Sequence, residues 1–275
     1  MTFEPSTEAG RTALAEVLAD PSATLVALDF DGTLAPIVDD PEQAYIHPDA
    51  LTVLARLSPR LGAIAVITGR PVDTVLRLGG FAESSALPAL QVLGQYGAER
   101  WDAATGETTV SPPPPGLETA RRALPAFLRD HGAEDAYVED KGRALGIHVR
   151  RMERPDEAYQ RLLGPVRRFA ARHQLALEPG KLVLEIRADG VDKGSSLHRL
   201  LAEPGLSVPI FAGDDLGDIA AYDEVDRLRG AGGAGLLVYA TSAEGTVLAK
   251  RADVVVDGPR GLVAWLSYLA DRLGA

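Results

Sequence analysis

The 275-residue chain has no cysteine, so disulfides and thiolate metal sites are excluded, and any metal must be held by oxygen ligands or histidine. Aromatic residues make up only 5% of the chain, which leaves Leu, Val, Ala and Ile to build the interior and suits buried parallel strands with covering helices. Positive charge is the scarcer sign: 28 Lys and Arg stand against 39 Asp and Glu. The net charge of −11 opposes nucleic acid or an acidic membrane as a general partner, although a local basic pocket is compatible with it. Long apolar runs are also missing. The first 23 residues carry Glu4, Glu8, Arg11, Glu16 and Asp20 and contain neither a signal-peptide core nor a membrane anchor. A soluble, cytoplasmic protein is expected, with no nucleic-acid and no membrane partner.

What the chain does have is 46% apolar residues arranged in an alternating pattern. Thr24–Leu28 reads as a buried strand, Pro48–Leu57 as a helix, Ala63–Ile67 as a strand, and Leu90–Leu93 as a third strand; Pro71 is placed to open a helix between the last two. Four prolines, Pro112 to Pro115, then make a stiff connector that neither helix nor central strand tolerates. Beyond it Leu117–Arg129 and Pro155–Arg172 read as helices, and Ala136–Glu139, Ala144–Val149, Leu175–Glu178 and Lys181–Ile186 as strands. The first pattern resumes with a helix opening at Lys193-Gly194, strands at Val208–Ala212, Leu236–Tyr239 and Val254–Val256, and a closing helix at Gly261–Leu273. The expectation is an α/β fold: a doubly wound, mainly parallel, Rossmann-like sheet core made from residues 1–110 and 189–275, with an α+β domain inserted at residues 111–188. Leu14, Val17 and Leu18 predict a short amphipathic helix covering that core.

In such a sheet ligands collect at the carboxyl ends of the strands, and the polar residues of this chain lie there. The first strand runs into Asp29-Phe30-Asp31-Gly32-Thr33-Leu34. Residues i and i+2 of an extended segment point the same way, so Asp29 and Asp31 converge while Phe30 turns back into packing. One carboxylate can then act as nucleophile and the other as proton donor, provided a cation offsets the repulsion, which points to phosphoryl transfer. Taken alone the segment also reads as an acidic turn. Thr68 ends the second strand with a hydroxyl and amides suited to phosphate oxygens, and Gly69 permits close approach. Lys193 brings a positive charge, and Asp214, Asp215 and Asp218 follow a later strand with carboxylates able to hold Mg²⁺.

As an ordered set, Asp29-x-Asp31-Gly32-Thr33, Thr68-Gly69-Arg70, Lys193-Gly194 and Gly213-Asp214-Asp215-x-x-Asp218 resembles the four motifs of the haloacid dehalogenase superfamily. The insert then takes the position of that superfamily's substrate-selecting cap, on a catalytic core. Within it, Val138-Glu139-Asp140-Lys141-Gly142, His148-Val149-Arg150 and Pro179-Gly180-Lys181-Leu182-Val183-Leu184-Glu185-Ile186 look like the cap signatures of trehalose-6-phosphate phosphatases, as does Gly94-x-x-Gly97-Ala98-Glu99 outside it. The resemblance covers roughly residues 22–225.

It implies a Mg²⁺-dependent hydrolysis of trehalose 6-phosphate in which Asp29 is phosphorylated, Asp31 protonates the leaving sugar oxygen and then activates water, and Thr68 and Lys193 hold the phosphoryl group. Asp29, Asp214 and the backbone carbonyl of Asp31 would bind the metal, with Asp215 and Asp218 in or next to its shell. Gly69, Arg70, Glu139, Lys141, His148, Arg150, Lys181 and Glu185 would bind the substrate, a sugar phosphate. A monomer and a functional link to a trehalose-6-phosphate synthase complete the expectation. The alternatives are a phosphatase for another sugar phosphate, such as sucrose 6-phosphate or a glucosylglycerol or mannosylglycerate phosphate, and a catalytically silent sugar-phosphate-binding regulator. Two places depart from the family pattern: Tyr96 stands where the family usually has His, and Gly217-Asp218-Ile219 where it has Thr-Asp-Glu. The first bears on sugar specificity, the second on bracing of the metal shell.

Overall fold

The computed structural model describes residues 3–180, 182–242 and 246–275. In chain order the elements are α1 (Glu8–Ala19), β1 (Thr24–Leu28), α2 (Ala50–Leu57), β2 (Ala63–Ile67), α3 (Val72–Gly79), β3 (Leu90–Gly94), β4 (Glu99–Asp102) and β5 (Glu107–Val110). There follow α4 (Leu117–Asp130), β6 (Tyr137–Asp140), β7 (Leu145–His148), α5 (Pro155–Arg172), β8 (Leu175–Gly180) and β9 (Val183–Ala188). The chain ends with α6 (Lys193–Leu201), β10 (Val208–Gly213), α7 (Ile219–Gly230), β11 (Leu236–Ala240), α8 (Thr246–Ala249), β12 (Val254–Val256) and α9 (Gly258–Arg272). It divides into two compact units, one running to Val110 and resuming at Asp192, the other spanning Ser111–Val191.

The first unit is built on an eight-stranded sheet in the order β12-β11-β10-β1-β2-β3-β4-β5. Pairing is parallel from β12 through β3 and antiparallel at β3–β4 and β4–β5. Every residue of β1, β2 and β3 is buried, because apolar side chains leave both faces of a parallel sheet covered by helices. Leu25 and Ala27 pack on one face with Leu197 and Leu200 of α6 and Tyr222 and Val225 of α7. Val26 and Leu28 pack on the other with Ala13, Leu14 and Val17 of α1, Leu54 of α2, Val75 of α3 and Leu266 of α9. The helix expected through Leu14, Val17 and Leu18 is thus present and covers the core.

From β1 the chain steps outward to β2 and β3, then returns on the opposite side of β1 as β10, β11 and β12. The reversal lies between β1 and β10, whose last paired residues are Leu28 and Ala212. In a doubly wound sheet this switch in strand order, at the carboxyl edge, is where functional loops meet.

The second unit has an antiparallel sheet in the order β6-β7-β9-β8. One face, carrying Leu145, Ile147, Leu184 and Ile186, packs on Leu124 and Phe127 of α4 and Leu162, Val166 and Phe169 of α5. The fold is therefore mixed α/β, with a large mainly parallel sheet and a separate antiparallel one. Among the described residues no helix is long and apolar enough to cross a membrane.

The hairpin of β4 and β5 is an addition to the elements expected from sequence. Only Trp101 of β4 is buried and all of β5 is exposed, so neither strand carries an apolar signature; backbone pairing to the edge of β3 makes them. Of the expected strand Lys181–Ile186, Lys181 lies outside the described residues and β9 starts at Val183.

One polar knot ties α1 to the sheet edge. Asp253, 1% exposed, pairs with Arg229, accepts from Leu237 N at 2.8 Å and from the hydroxyl of Thr7, the N-cap residue of α1. Replacing it removes the buried carboxylate partner of Arg229, which keeps its bonds to Gly235 O and Asp226, and strands the buried N–H of Leu237. Asp253→Ala should lower the unfolding free energy by about 2–4 kcal/mol in urea denaturation; a change below about 0.5 kcal/mol would show that the knot holds little.

Candidate active site

Asp29 follows β1 directly, its N–H donating to Ala212 O at 2.9 Å and so continuing the sheet by one residue. Phe30 turns into the core, fully buried. Gly32 then takes a left-handed φ of 77°, its N–H bonded to Ala35 O at 2.7 Å. A side chain at Gly32 would collide with the Asp214 carboxylate, so the bare backbone is what lets the loops after β1 and β10 close on each other.

Lys193 is the first residue of α6, whose start is fixed by a reciprocal cap: Asp192 Oδ1 accepts from Ser195 N at 2.7 Å and Ser195 Oγ from Asp192 N at 3.0 Å. From there Lys193 Nζ reaches Asp29 Oδ1 at 2.5 Å and Asp218 Oδ1 at 2.6 Å, with all three side chains no more than 6% exposed. The other oxygen of Asp218 accepts from the N–H of Asp214 at 2.9 Å and of Asp215 at 3.2 Å. Asp218 therefore both anchors the lysine and folds the loop after β10. The Asp214 carbonyl accepts from Ser242 Oγ at 2.8 Å, and Thr33 Oγ1 lies 3.5 Å from Asp29 Oδ2 and 3.4 Å from Asp214 Oδ1.

Oxygen atoms of Asp29, Asp214 and Asp218 come within 4.8 Å of one another, and all three residues are buried. Burial first, then the charges of Asp218 and Asp215, push the Asp214 carboxyl up to about 7. Burial, with Asp218 and Asp214, also raises the Asp29 carboxyl well above its ordinary value against the pull of Lys193. For Lys193 burial opposes the charged form, but Asp218, Asp29 and Asp215 outweigh it and keep the ammonium protonated. Three carboxylates thus share one ammonium. An all-oxygen donor set with negative charge in excess fits a hard divalent cation.

Two expected residues take other partners. Asp215 Oδ1 accepts from Gly217 N at 2.8 Å and caps the short turn Leu216–Asp218, outside the buried triad. Arg70, expected on the substrate, forms a two-pronged ion pair with Asp31 at 2.6 and 2.7 Å and donates to Pro41 O at 2.9 Å. Its side chain is 16% exposed, because the planar guanidinium matches the carboxylate and lies near the Phe30 ring, 5.8 Å from its centroid. Thr68 is buried and its Oγ1 accepts from Arg70 N at 3.2 Å, while Gly69 beside it is exposed. Ile219, at the family's usual carboxylate position, packs against the apolar cluster beneath α7.

In the second unit Glu139, His148 and Glu185 lie on the sheet face opposite the helices. Strand register sets Glu139 and Glu185 on either side of Gly146. His148 Nε2 is 2.9 Å from Glu139 Oε2, and Lys141 Nζ bonds Glu185 Oε2 at 2.5 Å with Glu139 at 4.0 Å. Arg187, on the same face, pairs with Glu178 at 2.8 Å. Arg150 is exposed in the turn after β7, and Lys181 lies outside the described residues. Sequence reading did not single out Ser242, Thr33 or the Asp31–Arg70 pair as site contacts. Motif spacing gave no signal for Ser242, 28 residues beyond the Asp214 it supports.

The doubly wound sheet, its inserted second unit and the carboxylates at the carboxyl edge define a haloacid dehalogenase-like hydrolase fold. The crystal structure of trehalose-6-phosphate phosphatase from Aspergillus fumigatus shares it, with a TM-score of 0.74 at 21% identity over 98% of this chain and 99% of that one. The trehalose-phosphatase family profile matches residues 27–253, and the chain belongs to that family of enzymes. The trehalose-6-phosphate phosphatase of Escherichia coli strain K12 is 31% identical over 207 residues, 74% of this chain and 73% of that protein. A trehalose-phosphate phosphatase of Mycobacterium tuberculosis strain H37Rv is 33% identical over 216 residues, 73% of this chain but 51% of its own length. The chain thus spans about half the length of such mycobacterial relatives.

The contact between Gly32 and Asp214 can be tested without reference to turnover. Gly32→Ala forces both a left-handed alanine and a displaced carboxylate and should cost about 1–3 kcal/mol of stability. An unchanged denaturation midpoint would place the two loops further apart than described.

Proposed function

We propose that this chain is a Mg²⁺-dependent phosphatase that hydrolyses trehalose 6-phosphate to trehalose and phosphate through a phosphorylated Asp29. The observation that carries the reading is the buried constellation of Asp29, Lys193, Asp214 and Asp218 at the carboxyl edge of the sheet, in a chain of the trehalose-phosphatase family. Asp29, Asp214 and Asp218 would hold the cation, joined by the backbone carbonyl of Asp31; when bound it offsets negative charge on the transferring phosphoryl group.

The remaining chemistry falls to the chain itself. Asp29 attacks phosphorus, forming the new P–O bond as the bond to the sugar oxygen breaks, and Asp31 gives that oxygen its proton. In the second half Asp31 takes a proton from water, the resulting hydroxide attacks phosphorus, and Asp29 is released with inorganic phosphate. Lys193 stabilises the three phosphoryl oxygens as charge spreads over them. Thr68 already accepts from Arg70 N, which leaves its own proton for a phosphoryl oxygen. Arg70 holds Asp31 in place rather than contacting sugar. Glu139, Lys141, His148 and Glu185 of the second unit, with Lys181, read the sugar hydroxyls; their pairing with one another pre-orients them for that task. A monomer working alongside a synthase that makes trehalose 6-phosphate is part of the same proposal.

The decisive assay measures phosphate release from trehalose 6-phosphate, glucose 6-phosphate, sucrose 6-phosphate and glucosylglycerol phosphate, with Mg²⁺ and with a chelator. Chelator-sensitive preference for trehalose 6-phosphate is expected. Preference for another sugar would overturn the specificity and keep the chemistry. Inactivity on all of them, with wild-type fold retained, would reject the enzyme reading in favour of a binding protein. Asp29→Asn should abolish turnover while leaving the fold intact. Arg70→Ala should slow the sugar phosphate by about 10²-fold but an aryl phosphate, whose leaving group needs no proton, by far less; equal losses would assign Arg70 to phosphate binding instead.

A further inference from the structure

We propose that Tyr96 is a positioning residue for the turn Thr68-Gly69-Arg70, an inference that rests on the phosphatase reading above. Gln95 and Tyr96 are consecutive non-glycine residues in the left-handed region, with φ of 47° and 57°. L-residues avoid that region because Cβ crowds the following carbonyl oxygen, and two in succession persist only where surrounding bonds hold them.

Those bonds run to one place. Gln95 N donates to Arg70 O at 2.8 Å and Tyr96 N to Thr68 O at 2.8 Å, so the strained pair grips the turn after β2 at both ends. Ser196 Oγ, in the first turn of α6, donates to Tyr96 O at 2.8 Å. Gln95 Nε2 donates to Glu99 Oε1 at 3.0 Å, and the other oxygen of Glu99 accepts from Val72 N at 2.7 Å. The loop after β3 is thereby fastened to the starts of α3 and α6, the second of which carries Lys193.

This clamp determines where the Tyr96 ring lies. A Cβ built on Gly69 would stand 2.8 Å from Tyr96 Oη and 2.9 Å from Cζ, so the tip of the ring rests on the bare Cα of Gly69. Gly69 is not among the residues with positive φ; glycine is needed there for space. Ring and glycine form a matched pair across two loops: the ring backs the peptide that carries the Thr68 hydroxyl and the Gly69 amide toward a phosphoryl group. Tyr96 thus carries a left-handed backbone strain that Gly or Asn would largely avoid, and strain of this kind is the observation from which a role beyond folding is inferred.

The test is the kinetics and melting temperature of wild type, Tyr96→Phe, Tyr96→Gly, Gly69→Ala and the Tyr96→Gly/Gly69→Ala pair, with trehalose 6-phosphate as substrate and inorganic phosphate as inhibitor. Tyr96→Gly should lower kcat by about 10–100-fold with little change in KM, since misplacement of the reacting groups costs rate rather than uniform binding. Its melting temperature should stay within about 3 °C of wild type, because glycine adopts the same φ without strain. Tyr96→Phe keeps the ring and should recover most of the turnover. Gly69→Ala should be impaired alone, and adding Tyr96→Gly should cost much less than the sum of the two single losses, because the methyl then has room. Full kcat in Tyr96→Gly, additive losses in the pair, or Tyr96→Phe as poor as Tyr96→Gly would each overturn the inference while the wild type still releases phosphate. A wild type inert toward every sugar phosphate would instead overturn the reading on which it rests.

Discussion

A single buried ammonium holds the site together. Lys193 bonds Asp29 at the end of β1 and Asp218 in the loop after β10, and without it three carboxylates would share one enclosed, poorly solvated space. Removing one partner of such a cluster strands uncompensated charge, which typically costs several kcal/mol, so the lysine is bound to the fold as much as to chemistry. Its own position depends on the capped start of α6, and the loop it grips depends on Asp218 turning its second oxygen onto two backbone amides. One ion-pair network thus joins a strand end, a helix start and a loop remote from one another in sequence.

The same economy governs the rest of the carboxyl edge. Arg70 fixes Asp31 by a flat two-pronged pair, Thr68 leans on the Arg70 amide, and the loop after β3 grips both ends of that turn. Polar groups there are oriented by each other before any ligand arrives, so little ordering remains to be done on binding. In the second unit the exposed sheet face follows a similar rule: Glu139 with His148, Lys141 with Glu185 and Glu178 with Arg187 are paired across strands. Arg187 and Glu185 are the shielded partners of these pairs, while Lys141, Glu139 and Glu178 keep about half of their surface in solvent.

The two departures from the family pattern have different physical characters. At Ile219 a partly buried apolar side chain packs against the core cluster beneath α7, while Asp218, one residue earlier, keeps its bonds to lysine and backbone. At Tyr96 the change lies on a strained turn in contact with Gly69. The first is absorbed by packing; the second stands where chemistry would feel it.

The sequence by itself determined the α/β class, the main strands and helices of both units and the order of the motifs, because apolar runs such as Ala63–Ile67 and turn residues such as Gly32 and the prolines from Pro112 onward are local signals. Asp29, Lys193, Asp214 and Asp218 were legible as candidates for the same reason, each lying at a strand end or helix start. Only the tertiary structure decided who bonds whom. Arg70 turns to Asp31, Asp215 caps its own turn, Ser242 supports Asp214, and Tyr96 leans on Gly69, all through distances and directions that spacing along a chain does not encode. The β4–β5 hairpin belongs with these: it buries a single large apolar side chain, Trp101, and is otherwise held by backbone pairing to the edge of β3.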